Sequence, residues 1–172
     1  DISKIVICIN PSDLKYFKNY HKEKNKFFLL PTEGVETKNF SIRKNNTNNN
    51  FIFFGRLIKE KGIEDYIEVA KIIKRKYPEK KFFIAGPINQ SIIGQSKFNK
   101  GTLALIKKNE KHIEYLGYIK DYKDIFPKMD CLISPSFSEG AGTSVMEAMI
   151  SGLHIIAYNN SGHNYVLKNT KN

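Results

Sequence analysis

Two glutamates, two cations and a run of small residues carry the spacing in this sequence that suits chemistry. The longest such stretch is Ser134-Pro-Ser-Phe-Ser-Glu139-Gly-Ala-Gly142-Thr-Ser-Val-Met-Glu147. An apolar run, Cys131 to Ser134, enters a turn of small residues, and the turn opens a helical pattern over Thr143 to Ile150. Gly140 and Gly142 allow a close backbone approach. Thr143 or Ser144 falls in the first turn, where unpaired N–H groups and the positive end of the helix dipole make an anion site. Glu139 stands just ahead of that start. Glu147 lies about 5 residues into the helix, roughly 7 Å along its axis. That distance suits a diphosphate at the helix start and a ribose joined to it, whose hydroxyls a carboxylate accepts from, as in dinucleotide-binding folds. A plainer reading stands beside this one: a helix cap, with Glu139 facing solvent and Glu147 at a surface position.

The second stretch is Phe54-Gly55-Arg56-Leu-Ile-Lys59-Glu60-Lys61-Gly62. An apolar run again ends in glycine, and a loop leads to a helix. Arg56 stands at one end of the loop and Lys61 at the other. Two cations at such a mouth suit a diphosphate, Arg by bidentate pairing and Lys as a point charge. Lys59 and Glu60 read as an ordinary charged loop.

The elements that must position these residues alternate along the chain. Ile5 to Ile9 reads as a buried strand, Ser12 to His21 as a helix opening at Ser12 or Asp13, and Phe27 to Leu30 as a strand ended by Pro31. A polar stretch, Thr32 to Asn50, finishes in an Asn-rich run over 45–50 expected to be a flexible connector. Strands are expected over 51–54, 81–85, 113–116, 131–134 and 153–157, and helices over 62–76, 102–109, 122–129 and 143–150. Strands that are apolar without alternation are buried on both faces, and their alternation with helices implies a parallel sheet. The expected class is therefore α/β: a doubly wound, Rossmann-like, mostly parallel sheet with helices on both faces and ligands at the carboxyl ends of its strands. Phe54-Gly55, Ala85-Gly86, Leu116-Gly117 and Ser134-Pro135-Ser136 are expected to line one crevice.

Composition narrows the class. The 172 residues are 41% hydrophobic and 26% charged, ordinary for a soluble α/β protein. No run approaches the roughly 18 apolar residues of a membrane span. The start, Asp1-Ile-Ser-Lys4, has no basic leader and no initiator Met, so the chain reads as excised from something longer. Cys8 and Cys131 sit in apolar runs and read as buried thiols in a reducing compartment; no Cys/His spacing points to a metal. The net charge of +11 suits a nucleic acid, anionic lipid or phosphorylated partner. Lys and Asn are abundant throughout, however, and the excess reads first as compositional drift with solvated lysines. The densest cluster is Lys71, Lys74, Arg75, Lys76, Lys80 and Lys81.

Taken together, these motifs resemble the carboxyl-terminal domain of glycosyltransferase family 4, the retaining sugar transferases of GT-B fold. The family's Glu-x7-Glu motif matches Glu139 and Glu147, and its Gly-Arg-x4-Lys-Gly motif matches Gly55, Arg56, Lys61 and Gly62. Supporting matches are Phe83-Ile-Ala-Gly86-Pro87, Tyr115-Leu-Gly117-Tyr118 and Ser151-Gly152-Leu153. The turn from Glu139 is most similar to transferases that decorate lipopolysaccharide cores and other bacterial surface polysaccharides.

The resemblance implies one half of a GT-B fold. Residues 1–44 would be the tail of the amino-terminal domain and the interdomain hinge, and residues 45–172 the nucleotide-sugar-binding domain, truncated at its carboxyl end. It implies catalytic roles for Arg56, Lys61 and Glu139: the cations hold the diphosphate and the leaving-group charge, and Glu139 contacts the sugar at the reacting centre. Gly55, Gly140, Ala141, Gly142 and Thr143 would border phosphate or sugar, Glu147 the ribose, and Tyr118 and Ile119 the nucleobase. No metal and no cofactor is implied. The substrate would be a nucleotide sugar, most readily a UDP-sugar, with a glycan or lipid-linked acceptor on the other domain. The location implied is cytoplasmic, including the inner face of the cytoplasmic membrane, with no nucleic-acid partner.

Two departures stand out. His154 replaces the family's usual Pro and reads as structural, and Glu33-Gly34-Val35-Glu36 replaces the usual Asn-Gly-Val-Asp. His163 and Tyr165 follow Gly162 in a loop near the expected site and are weighed as further sugar-donor contacts without being assigned as such. A GT-B epimerase or phosphorylase is a second reading within the fold. A non-catalytic basic module for nucleic acid or anionic membrane is a third.

Overall fold

The computed structural model describes residues 4–30, 34–38, 40–43, 48–88 and 96–168. Their centre is a five-stranded, all-parallel sheet in the order β5-β4-β3-β6-β7. The strands are β3 (Asn50–Phe54), β4 (Lys81–Ala85), β5 (Glu114–Tyr115), β6 (Cys131–Ser134) and β7 (His154–Ala157). Helices α2 (Ile63–Lys76), α3 (Ser96–Lys108) and α4 (Thr143–Ile150) make the crossovers, and α5 (Ser161–Lys168) follows β7. Parallel neighbours need such crossovers, and both faces are thereby covered. From β3 the chain runs outward to β4 and β5, then returns to the other side of β3 for β6 and β7. The strand order therefore reverses between β3 and β6, the place where loops diverge and a crevice opens.

The core lies on both faces. On one, Phe53, Leu57, Ile63, Tyr66, Ile67, Ala70, Phe82 and Ile106 pack together. On the other, Ile52, Phe126, Leu132, Val145, Ala148, Leu153 and Val166 do. The α2 pattern places Ile63, Tyr66, Ile67 and Ala70 on its buried stripe. Tyr66 is fully buried, and its hydroxyl shares a proton between Phe83 O at 2.7 Å and Phe51 O at 3.0 Å, tying α2 to β4 and β3. Burial pushes that phenol well above its ordinary pKa.

Ahead of the sheet, β1 (Val6–Cys8), α1 (Pro11–Tyr20) and β2 (Phe27–Leu29) form a small parallel unit. Here the expectation of a buried strand over 5–9 is corrected. Ile5, Ile7 and Ile9 are exposed, as are Phe28 and Leu30, because β1 pairs only with β2 among the described residues. The opening of α1 is corrected too. Asn10, not Ser12 or Asp13, is the cap: its side chain accepts from Asp13 N, with Pro11 in the first turn.

The helix expected over 122–129 is two short 3-10 turns, Tyr122–Asp124 and Phe126–Lys128. Pro127 has no N–H for a continuing helix and its ring obstructs the preceding turn. The helix expected over 102–109 begins earlier, at Ser96. The expected flexible connector is corrected in part. Residues 45–47 and the proposed boundary at 44/45 lie outside the described residues, but Asn48 to Asn50 is pinned. The Asp130 carboxylate accepts from Asn48 N and Asn50 N at 2.9 Å and from Arg43 Nη1 at 2.6 Å. Arg43 N also donates to Ser151 O at 2.8 Å. This anchor sits at the start of β3 and β6, opposite the crevice.

Both cysteines are buried and free, as expected. Burial pushes the Cys131 thiol up to about 11. Cys131 is therefore expected to resist a thiol reagent at pH 8 until the chain is unfolded, with mass spectrometry as the readout. Asp130→Ala removes the acceptor of a buried Arg and of two backbone N–H groups, and is expected to cost about 3 kcal/mol by urea unfolding.

Candidate functional site

Loops leaving the carboxyl ends of β3, β6 and β7 meet at the reversal of strand order. The β3 loop runs from Gly55 through a 3-10 turn, Lys59–Lys61, to Gly62, whose N–H donates to Lys59 O at 2.9 Å. Gly62 has φ +73°, and a Cβ there would fall 2.0 Å from Pro135 O. Only glycine permits both that backbone conformation and that approach to the β6 loop. The β6 loop answers with two bonds, Phe137 N to Glu60 O at 2.9 Å and Ser136 Oγ to Glu60 O at 3.3 Å. Glu60 thus serves through its carbonyl, while its side chain and that of Lys59 are exposed, as expected of a charged loop.

Against this backbone seam Lys61 Nζ donates to Glu139 Oε1 at 2.6 Å, across 78 residues of sequence. Their side chains are 20% and 12% exposed, so the pair is largely shielded from water and from salt. Two of the expected residues are therefore brought together. Arg56, the second cation, is exposed on the same loop, just past Gly55.

Helix α4 begins at Gly142, which has φ +60° and ψ 44°. No side chain caps this start, so the reading of Glu139 and its neighbours as a helix cap does not hold. Thr143 and Ser144 are the first two residues of the helix, where backbone N–H groups point out along the axis. Glu147 is the fifth residue of α4 and is buried, at 7% exposure. A surface position for it is therefore excluded, and a carboxylate so shielded needs polar partners.

Gly140 and Ala141 are half-buried in the turn. Gly140 O accepts from Asn10 Nδ2 at 3.2 Å. Asn10 is fully buried and was not foreseen at the site; its Asn-Pro cap signal is legible, but its reach over 130 residues to this turn is not. At the other side of the sheet Tyr118 is 71% exposed just past Gly117, and Ile119 is partly buried against the α4 core.

His163 is 1% exposed, with both ring nitrogens engaged inside the protein, which leaves the ring little surface for a ligand. Tyr165 is half-buried on α5. His154 is exposed at the start of β7, where its backbone N–H donates to Asp130 O at 3.0 Å. Among the described residues no three His, Cys, Asp or Glu side chains gather to hold a metal ion.

Comparison with known proteins adds the following. The family described as "Glycosyl transferases group 1" matches residues 34–172. The chain is 24% identical over 164 residues to the N,N'-diacetylbacillosaminyl-diphospho-undecaprenol alpha-1,3-N-acetylgalactosaminyltransferase of Campylobacter jejuni, covering 87% of this chain and 41% of that protein. The crystal structure of HepE from Anabaena, in complex with UDP and glucose, superposes with a TM-score of 0.74 at 17% identity, over 99% of this chain and 48% of that one. The carboxyl-terminal domain of the group 1 protein LpcC from Francisella tularensis is 27% identical, with a TM-score of 0.59, over 75% of this chain and 72% of that one. The chain thus spans less than half the length of the Campylobacter relative and of HepE. The fold is that of one Rossmann-like half of a GT-B architecture.

Because φ at Gly62 is positive and Pro135 O lies where a Cβ would go, Gly62→Ala is expected to lower the melting temperature. It is also expected to shift the amide resonances of both loops, which a heteronuclear NMR spectrum reports.

Proposed function

The chain belongs to the group 1 glycosyl transferases, and on that premise we propose that it is the sugar-donor-binding half of a retaining, family 4 transferase. The observation that carries the reading is the Lys61–Glu139 pair beside the uncapped start of α4, at the reversal of strand order. A cation, a carboxylate and outward-pointing N–H groups lie together where open α/β sheets bind ligands.

In this reading the diphosphate of a nucleotide sugar lies on the first turn of α4, with Thr143 N–H and its neighbours toward the phosphate oxygens. Lys61 and Arg56 neutralise the phosphate charge, which grows as the leaving group departs. They take the role a metal fills elsewhere, so the activity is proposed to be metal-independent. Lys61 turns from Glu139 to phosphate as the substrate enters. Glu139 then accepts from hydroxyls of the sugar at the reacting centre. Glu147 holds the ribose, and Tyr118 and Ile119 border the base.

The acceptor hydroxyl attacks the anomeric carbon on the face that the nucleotide leaves. The new carbon–oxygen bond forms as the bond to phosphate breaks, and the hydroxyl proton passes to the departing phosphate. Configuration is retained without a covalent enzyme intermediate. A UDP-sugar is the favoured substrate, in keeping with the UDP-bound HepE structure. A lipid-linked or surface-polysaccharide acceptor is favoured, in keeping with the activity named for the Campylobacter relative. The 172-residue chain alone is expected to bind nucleotide and to transfer nothing.

The test is titration of the chain with UDP, GDP and sulfate. Wild type is expected to prefer UDP. Arg56→Ala and Glu147→Ala are each expected to weaken UDP by about tenfold or more, the worth of one charge-assisted bond. UDP binding no better than sulfate, or variants that bind as wild type does, would sink the reading.

A further inference from the structure

Behind the turn that carries Glu139 stands a wall of polar groups with no part in the mechanism above. It is made by the β7 loop and the first residues of α5. Asn160 Oδ1 accepts from His163 N at 2.9 Å, fixing the start of α5, and Asn160 Nδ2 donates to Ser136 O at 2.8 Å. A Cβ on Gly162 would fall 2.4 Å from Glu139 O, so α5 lies directly against the backbone of Glu139. Likewise, a Cβ on Gly142 would meet the His163 ring at 3.4 Å. The ring is therefore the rear surface of the α4 start.

Both ring nitrogens are engaged. Nδ1 stands 3.0 Å from Tyr158 O, which can only accept, and 3.0 Å from Asn160 Nδ2, which can only donate, so either tautomer finds a partner there. Nε2 lies 3.2 Å from Ser134 Oγ, a hydroxyl that both donates and accepts. The ring thereby joins the end of β6 to the loop after β7. The Ser134–His163 contact has the outline of a nucleophile and its base. The ring is buried, however, and its far nitrogen meets a backbone carbonyl where a carboxylate would be wanted, so hydrolytic chemistry is not served.

We infer that His163 is the positioning residue of this site: its buried ring holds the turn from Glu139 to Gly142 in place for the substrate. The inference rests on the sugar-donor reading for its purpose but not for its geometry. Every contact of the ring or of Gly162 named above falls on Ser134, Tyr158, Asn160 or the turn itself. Tyr158 in turn donates its hydroxyl to Asp65 Oδ2 at 2.9 Å, which anchors the β7 loop to the first turn of α2.

The experiment uses the 172-residue chain with His163→Ala, His163→Asn and, as a control for lost stability, Ile113→Ala in the core of the opposite face. His163→Ala is expected to shift the amides of Gly140 to Ser144 and to weaken UDP at least about tenfold. His163→Asn keeps a polar group able to donate to Tyr158 O or accept from Asn160 Nδ2 and is expected to recover most of that loss. Ile113→Ala is expected to lower the melting temperature without either effect. If His163→Ala matches Ile113→Ala in both readouts, the inference fails. Should His163→Ala not fold, His163→Leu, which fills the space without the ring's polar groups, carries the same decision in both readouts. Arg56→Ala in the same titration separates the two claims. A loss there but not at His163 removes only the role of His163. No loss there removes the sugar-donor reading, and the amide shifts alone then decide whether His163 holds the turn.

Discussion

The reversal of strand order between β3 and β6 is the constraint on which the site depends. Adjacent parallel strands end on the same side, and here the chain leaves them toward opposite faces of the sheet, β3 toward α2 and β6 toward α4. The two loops start side by side and must part. What keeps them together over their first residues is short-range and specific: Gly62 under Pro135, Glu60 O bonded to Phe137 N, and Lys61 on Glu139. The first two are backbone contacts that no substrate displaces. The third is an ion pair shielded from water, and a pair so placed costs desolvation on both members. A polyanionic ligand can exchange its place with Glu139 on Lys61 without leaving that charge bare.

A second set of buried polar groups braces the same turn from behind. Asn10 reaches Gly140 from the β1–α1 unit, and Asn160 and His163 reach Ser136, Ser134 and Tyr158 from α5. Polar groups this deep are stable only when bonded, and once bonded they admit few alternative arrangements. The turn is therefore backed by two elements, the β1–α1 unit and α5. At the opposite end of the sheet the Asp130 cluster does the equivalent work for the start of β3, and holds Arg43 against the body of the domain.

Much of this was legible in the chain itself. Uninterrupted apolar runs such as Phe51-Ile52-Phe53-Phe54 and Cys131-Leu132-Ile133 marked strands covered on both faces, since water tolerates such runs nowhere else. The 3,4 spacing of Ile63, Tyr66, Ile67 and Ala70 marked α2 with its buried stripe. Where the reading missed, local signals competed with longer-range ones. Over 122–129 the apolar pattern favoured a helix, but Pro127 held it to 3-10 turns. At Ile5 to Ile9 an apolar run promised burial, yet burial needs covering elements that the run does not itself specify.

What the sequence determined alone was the kind and order of elements, because periodicity, glycine and proline act within a few residues of where they stand. It also determined which charged side chains follow the strands, Arg56, Lys61 and Glu139 in the loops and Glu147 in α4. Tertiary structure alone decided which of them meet. That Lys61 pairs with Glu139, that Glu147 is buried, and that the His163 ring is enclosed all follow from the folding of strands β3, β6 and β7 into one sheet. Such contacts span tens of residues to more than a hundred, and local propensity has no reach over that distance.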